Sequence, residues 1–87
     1  MSDKAETILI VEDEFIIATT EAKTLTKHGY TVHVVHTGED AIEAARTLPV
    51  DLILMDIDLG SHSIDGTEAA EAILRDRDLP IVFLSGR

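Results

Sequence analysis

The chain contains no cysteine and no tryptophan, and its aromatic content is 3%. Without cysteine there is neither a disulfide frame nor a thiolate metal site, so an intracellular, cytoplasmic setting is the default expectation. Positive charge is scarce as well. Seven Lys and Arg face 17 Asp and Glu, a formal net charge of −10. That balance argues against nucleic acid or an anionic membrane as a direct partner and favours a metal or a basic partner surface. No apolar run approaches the roughly 20 residues needed to span a bilayer. Met1-Ser2-Asp3-Lys4 lacks the apolar stretch of a signal peptide. The length of 87 residues suits one small domain, and 45% hydrophobic residues can form a packed core.

What the chain does have is regular alternation. Short apolar runs at 7–11, 31–35, 51–55 and 80–84 read as strands, and 14–28, 39–48 and 66–77 read as helices. Gly29 stands where a helix C-cap is expected, and Tyr30-Thr31-Val32 restarts a β-branched run. Ala41, Ile42, Ala45 and Leu48 form an apolar stripe at helical spacing, which Pro49 ends. In the third helix Ala69, Ala72 and Ile73 are expected to face inward. Strands alternating with helices imply right-handed βαβ units and a parallel sheet. Ligands of such sheets bind beyond the carboxyl ends of the strands.

Two of the strands run into carboxylates at that edge. Ile8-Leu9-Ile10-Val11 leads into Glu12-Asp13-Glu14, and Leu52-Ile53-Leu54-Met55 leads into Asp56-Ile57-Asp58. If the two strands are parallel neighbours, Glu12, Asp13 and Asp56 share one pocket. Carboxylates that close cannot all remain ionised without a positive guest. A hard divalent cation with oxygen ligands is the natural one, and Mg2+ with a phosphoryl group is its usual pairing. Each acidic group taken alone has a plainer alternative as a solvated loop or a helix N-cap. The joint pattern is sharper, because Ser85 follows the fourth strand as the carboxylates follow the first and third.

Those segments, Ile-Leu-Ile-Val-Glu12-Asp13-Glu14, Asp51-Leu-Ile-Leu-Met-Asp56, Asp65-Gly66 and Pro80-Ile-Val-Phe-Leu-Ser85-Gly86, resemble the receiver domain of bacterial response regulators over about Thr7 to Arg87. The resemblance implies a flavodoxin-like, doubly wound α/β sheet of strand order 2-1-3-4-5. It implies that Asp56 is a phosphoacceptor loaded from a histidine kinase or phosphotransfer domain. Asp13 would then be a direct Mg2+ ligand, Glu12 a direct or water-mediated one, and the Asp58 backbone carbonyl the third protein ligand. Ser85 matches the switch hydroxyl that turns toward the phosphoryl group. The chemistry is consistent, since a carboxylate is a competent nucleophile once charge is neutralised and the approach is in line.

Residues 1–87 read as one receiver domain that ends before the family's fifth strand, its phosphoryl-pairing lysine and its fifth helix. Lys4, Lys23 and Lys27 do not replace that lysine. The loop from Asp58 to Ile64 lacks the family's usual proline and is slightly longer. The fourth strand, Ile81-Val82-Phe83-Leu84, is then expected to be an open apolar edge that favours self-association. The four histidines show no zinc spacing and read as surface or strand residues. Glu39, Asp40, Glu43, Glu68 and Glu71 read as a solvated acidic face.

Two other function classes compete. A haloacid-dehalogenase-type phosphotransferase also uses Asp-x-Asp after a strand, as in Asp56-Ile57-Asp58, but leaves Glu12-Asp13 without a role. A docking module of receiver fold would signal without phosphorylation. The receiver reading makes the chain a signalling domain that assists its own phosphorylation rather than an enzyme. Kinase, input signal and output lie beyond these residues.

Overall fold

A computed structural model describes residues 5–60 and 64–84. Seven elements follow in order: β1 (Thr7–Val11), α1 (Phe15–Lys27), β2 (Thr31–Val35), α2 (Gly38–Thr47), β3 (Leu52–Asp56), α3 (Gly66–Asp76) and β4 (Ile81–Leu84). The strands form one parallel sheet of order β2-β1-β3-β4. This is the expected flavodoxin-like arrangement across the described residues. The expectations for Lys4, His62, Ser85 and Arg87 fall outside them.

Every residue of the central strand β1 is buried. Alternation along the strands sorts their side chains onto two faces. Leu9 and Val11 of β1 and Ile53 and Met55 of β3 pack with Ala41, Ala44 and Ala45 of α2 and Ala69 and Ile73 of α3. The opposite side chains, Ile8, Ile10 and Glu12 of β1 and Leu52, Leu54 and Asp56 of β3, therefore belong to the face of α1. That helix packs against β1 and β2 and buries Ala18. On α3 the inward residues include Ala70, which is buried, whereas the expected Ala72 is only partly covered. The stripe on α2 also uses Ala44, with Ile42 and Leu48 packed at its margin.

Local chemistry defines the helix ends. Thr37 accepts the Asp40 N–H at 3.0 Å and opens α2. Asp65 and Glu68 form a reciprocal capping box at the start of α3. Glu68 is thus a cap as well as an exposed acid. The Thr67 hydroxyl, followed by the Glu68 N–H, holds the Asp65 carboxyl below its ordinary pKa. Arg77 donates from Nη1 to the carbonyls of Ala45 at 2.7 Å and Leu48 at 3.2 Å, so a cation closes the C-terminal end of α2. Gly29, at φ 97°, turns the chain from α1 into β2.

Two features set the sheet edge that carries the carboxylates. Thr7 and Asp51 bind each other reciprocally: the Thr7 N–H donates to Asp51 Oδ2 and the Asp51 N–H to the Thr7 carbonyl, both at 2.8 Å. This tie anchors the start of β1 to the start of β3, and the pairing runs in step from Ile8↔Leu52 to Val11↔Met55. At the other end Gly66 lies flat against the backbone of Asp56 and Ile57 and donates its N–H to the Ile57 carbonyl at 3.0 Å. A Cβ on residue 66 would collide with the Asp56 carbonyl oxygen. Alanine's better helix propensity offsets only up to about 1 kcal/mol. Gly66→Ala is therefore expected to destabilise the fold by roughly 1–3 kcal/mol, measured by urea denaturation; an unchanged or raised midpoint would contradict the close approach.

Candidate functional site

The β1–β3 register ends at Val11↔Met55, and the next residue of each strand, Glu12 and Asp56, brings its carboxylate to the same place. Both are buried, at 4% and 2% relative exposure, while Asp13 is partly open. One carboxylate oxygen from each of the three residues lies within 4.8 Å of the others. The pocket expected from the sequence is therefore present, and Glu12, Asp13 and Asp56 meet in it. Asp58, the next expected site residue, follows on the exposed loop. Its N–H donates to Asp56 Oδ1 at 3.1 Å, and its own Oδ1 accepts the Gly60 N–H at 3.3 Å. Gly60 in turn approaches Asp13, whose Oδ2 would lie 3.5 Å from a Cβ at that position.

The carboxylates are only partly satisfied. Glu12 Oε2 accepts the Glu14 N–H at 3.2 Å, and Asp56 Oδ1 is taken by Asp58. Among the described residues, Asp56 Oδ2 and Asp13 Oδ1 are shut off from solvent and have no hydrogen-bond partner. Burial pushes the Glu12 carboxyl up to about 7, and the charge of Asp56 and contacts with the Asp13 and Asp56 carboxyls push the same way. The site thus holds excess negative charge together with unused oxygen lone pairs. Such a set fits a hard cation with oxygen ligands, and an all-oxygen donor set without His or Cys suits Mg2+ better than zinc.

Other residues support the pocket in ways their sequence positions did not announce. His36 is one residue beyond β2, and because Val11 pairs with Val35, it falls level with Glu12. Its Nδ1–H donates to the Glu12 carbonyl at 2.8 Å, and its ring packs against Phe15 with centroids 4.1 Å apart. The Glu12 N–H donates to the Val35 carbonyl at 3.1 Å, so both backbone polar groups of Glu12 are tied to the β2 side. His36 is therefore a positioning residue rather than a plain surface histidine; the β1–β2 register was the signal that would have found it. Glu39, read as solvated, accepts the Ile64 N–H at 3.4 Å.

Comparison with known proteins places these features in one family. A sequence model of the response regulator receiver domain matches residues 8–87. The chain is 36% identical over 80 residues to the transcriptional regulatory protein AfsQ1 of Streptomyces coelicolor, covering 92% of this chain and 35% of that protein. It is 42% identical over 72 residues to hybrid signal transduction histidine kinase B of Dictyostelium discoideum, covering 83% of this chain and 4% of that protein. Among solved structures, the N-terminal domain of a response regulator/sensory box/GGDEF three-domain protein from Carboxydothermus hydrogenoformans superimposes with a TM-score of 0.89 at 47% identity. That match covers 94% of this chain and 66% of the other. The fold and the acidic edge define a flavodoxin-like sheet with a carboxylate pocket at the ends of its strands. The chain belongs to the response regulator receiver domain family. It spans only a small part of the two relatives named, about a third of one and far less of the other.

The raised Glu12 makes stability depend on pH with a definite sign. Above about 7 the Glu12 carboxyl is ionised in folded and unfolded chains alike; between its ordinary value of 4.5 and about 7 the folded chain holds the extra proton. Folding stability contributed by this group therefore falls as pH rises through that window. Melting followed from pH 5 to 8 without divalent cation should show this fall, and Glu12→Gln should flatten it. Mg2+ should raise the melting temperature most at pH 8, and Asp13→Asn should remove much of that rise by weakening the binding that stabilises the folded state. A wild type and a Glu12→Gln variant with parallel pH profiles would contradict the assignment.

Proposed function

We propose that this chain is a phosphoacceptor domain of a two-component phosphorelay, accepting a phosphoryl group on Asp56 from a histidine kinase or phosphotransfer domain. The observation that carries the reading is the buried Asp56 at the end of β3, with Oδ2 unpartnered and Glu12 and Asp13 beside it. Mg2+ is the proposed cofactor, held by Asp13, Asp56, the Asp58 backbone carbonyl and Glu12, directly or through water; when bound it neutralises the charge that builds up on transfer. Asp56 supplies the nucleophile. A carboxylate oxygen forms a bond to phosphorus while the bond from phosphorus to the donor's imidazole nitrogen breaks, and the donor leaves as neutral imidazole after taking a proton.

The chain's own residues arrange this step. The Asp58 N–H occupies Oδ1 and leaves Oδ2 for attack. Glu12 is oriented through its backbone by His36 and Val35. Ser85, the next residue in the sequence after Leu84, is the proposed switch hydroxyl that follows the phosphoryl oxygens. On this reading the domain assists its own phosphorylation and turns over no substrate of its own, and it works in the cytoplasm. Acetyl phosphate with Mg2+ is expected to add one phosphoryl mass to the wild-type chain and none to Asp56→Asn, by intact-protein mass spectrometry. An undiminished adduct on the variant would end the assignment.

A further inference from the structure

Glu12, Asp13 and Glu14 form the short acidic segment between the end of β1 and the start of α1. The side chain of His36, the first residue after β2, touches both flanks of that segment. Its Nδ1 meets the Glu12 carbonyl at 2.8 Å. A carbonyl oxygen only accepts, so the ring proton of this bond sits on Nδ1. The same ring lies against Phe15, the first residue of α1, with centroids 4.1 Å apart and planes inclined at 48°. Tilted aromatic pairs attract beyond the area they bury. One side chain thus ties β2 to the beginning of the acidic segment and to the residue just past its end.

The Glu12 carbonyl belongs to the peptide unit that joins Glu12 to Asp13. That unit is planar, so its oxygen and the Cα atoms of Glu12 and Asp13 turn together. A bond to the oxygen therefore fixes the direction in which both side chains leave the backbone. The preceding peptide is held from the same strand, because the Glu12 N–H donates to the Val35 carbonyl at 3.1 Å. The side chains themselves are held less well. Asp13 Oδ1 has no hydrogen-bond partner among the described residues, and Glu12 Oε2 takes the Glu14 N–H at 3.2 Å. Oxygens of Glu12, Asp13 and Asp56 lie within 4.8 Å of one another, and like charges that close repel. Turning the Glu12–Asp13 peptide would spread them apart, and the bond to His36 opposes that turn.

We propose that His36 is a latch on the acidic segment that sets how tightly the pocket takes Mg2+. The proposal rests on the reading of Glu12, Asp13 and Asp56 as a Mg2+ site. His36 acts through the Glu12–Asp13 peptide and is a positioning residue. Groups that orient metal ligands raise affinity by holding the ligands in place before the cation arrives. The two contacts divide the work: the hydrogen bond aims the carboxylates, and the ring contact fixes the start of α1. Asp56 lies on another strand, so the latch governs the Mg2+ concentration the protein requires and not the loading reached once Mg2+ is saturating.

The test compares wild type, His36→Phe and His36→Asn. Phenylalanine keeps a ring beside Phe15 and removes the donor. Asparagine removes the ring and offers an amide N–H to the Glu12 carbonyl. Mg2+ binding is followed at pH 8 by amide shifts in NMR, and melting is recorded without divalent cation. His36→Phe should bind Mg2+ roughly three- to tenfold more weakly, the scale of one lost hydrogen bond. His36→Asn should stay within about twofold of wild type, because the hydrogen bond is kept, even where loss of the ring lowers its melting temperature. A purely structural role would lower melting in both variants and leave their Mg2+ affinities alike. A second readout is phosphoryl loading from acetyl phosphate against Mg2+ concentration. The half-saturating Mg2+ of His36→Phe should rise by the same factor as its dissociation constant, with loading at saturation equal to wild type. Equal Mg2+ affinity in wild type and His36→Phe, or equal weakening in the two variants, would overturn the latch alone. Absence of Mg2+ binding by wild type would overturn the metal site, and the latch with it.

Discussion

The parallel register between β1 and β3 is the constraint on which the rest of the site depends. A parallel pair leaves little choice once one end is tied, because a slip of one residue would turn every side chain to the opposite face. The reciprocal Thr7–Asp51 bonds tie one end. From there the pairing delivers Glu12 next to Asp56 at the other end. Every residue of β1 between them is buried, and so are Ile53 and Met55 of β3, so the sheet cannot relax to separate the two charges without exposing its centre.

That enforced proximity sets the chemistry. Folding pushes carboxylates together, and the described surroundings satisfy them only in part: Glu14 and Asp58 give single N–H groups, and two buried oxygens have no partner among the described residues. The free chain answers by raising the proton affinity of Glu12. A cation or a proton relieves the same repulsion, which links pH, metal binding and stability through one group. His36 and Gly66 act on geometry instead, the first by holding the Glu12 backbone and the second by letting α3 start directly against the end of β3.

Much of this was readable along the chain. The four apolar runs and their helical partners appear within a residue or two of their expected bounds, because a fully buried strand such as β1 admits only apolar side chains and each helix carries its own start or stop signal. Asp56, Glu12 and Asp13 were identifiable because each directly follows such a run. What the pattern concealed were relations between elements. His36 looked like a surface histidine because nothing local distinguishes it, and only pairing with β1 brings it level with Glu12. Ala70 rather than Ala72 is buried on α3 because the helix is rotated to seat two adjacent alanines against the sheet. Glu68 reads as one more solvated acid until its reach back to the Asp65 N–H at 3.0 Å is seen.

The sequence by itself determined the element order, the parallel sheet and the presence of acidic groups at the carboxyl ends of two strands, since hydrophobic period and strand-end position are local properties. The tertiary structure decided which of those acids meet, how deeply they are buried and which oxygens are left without partners. Those depend on strand order and register, and on which face of each strand a helix covers. Asp58 and Glu14 carry the same kind of side chain as Asp56 and Glu12, yet both lie exposed on loops one or two residues further on. Burial separates them, and burial is a property of the packed sheet.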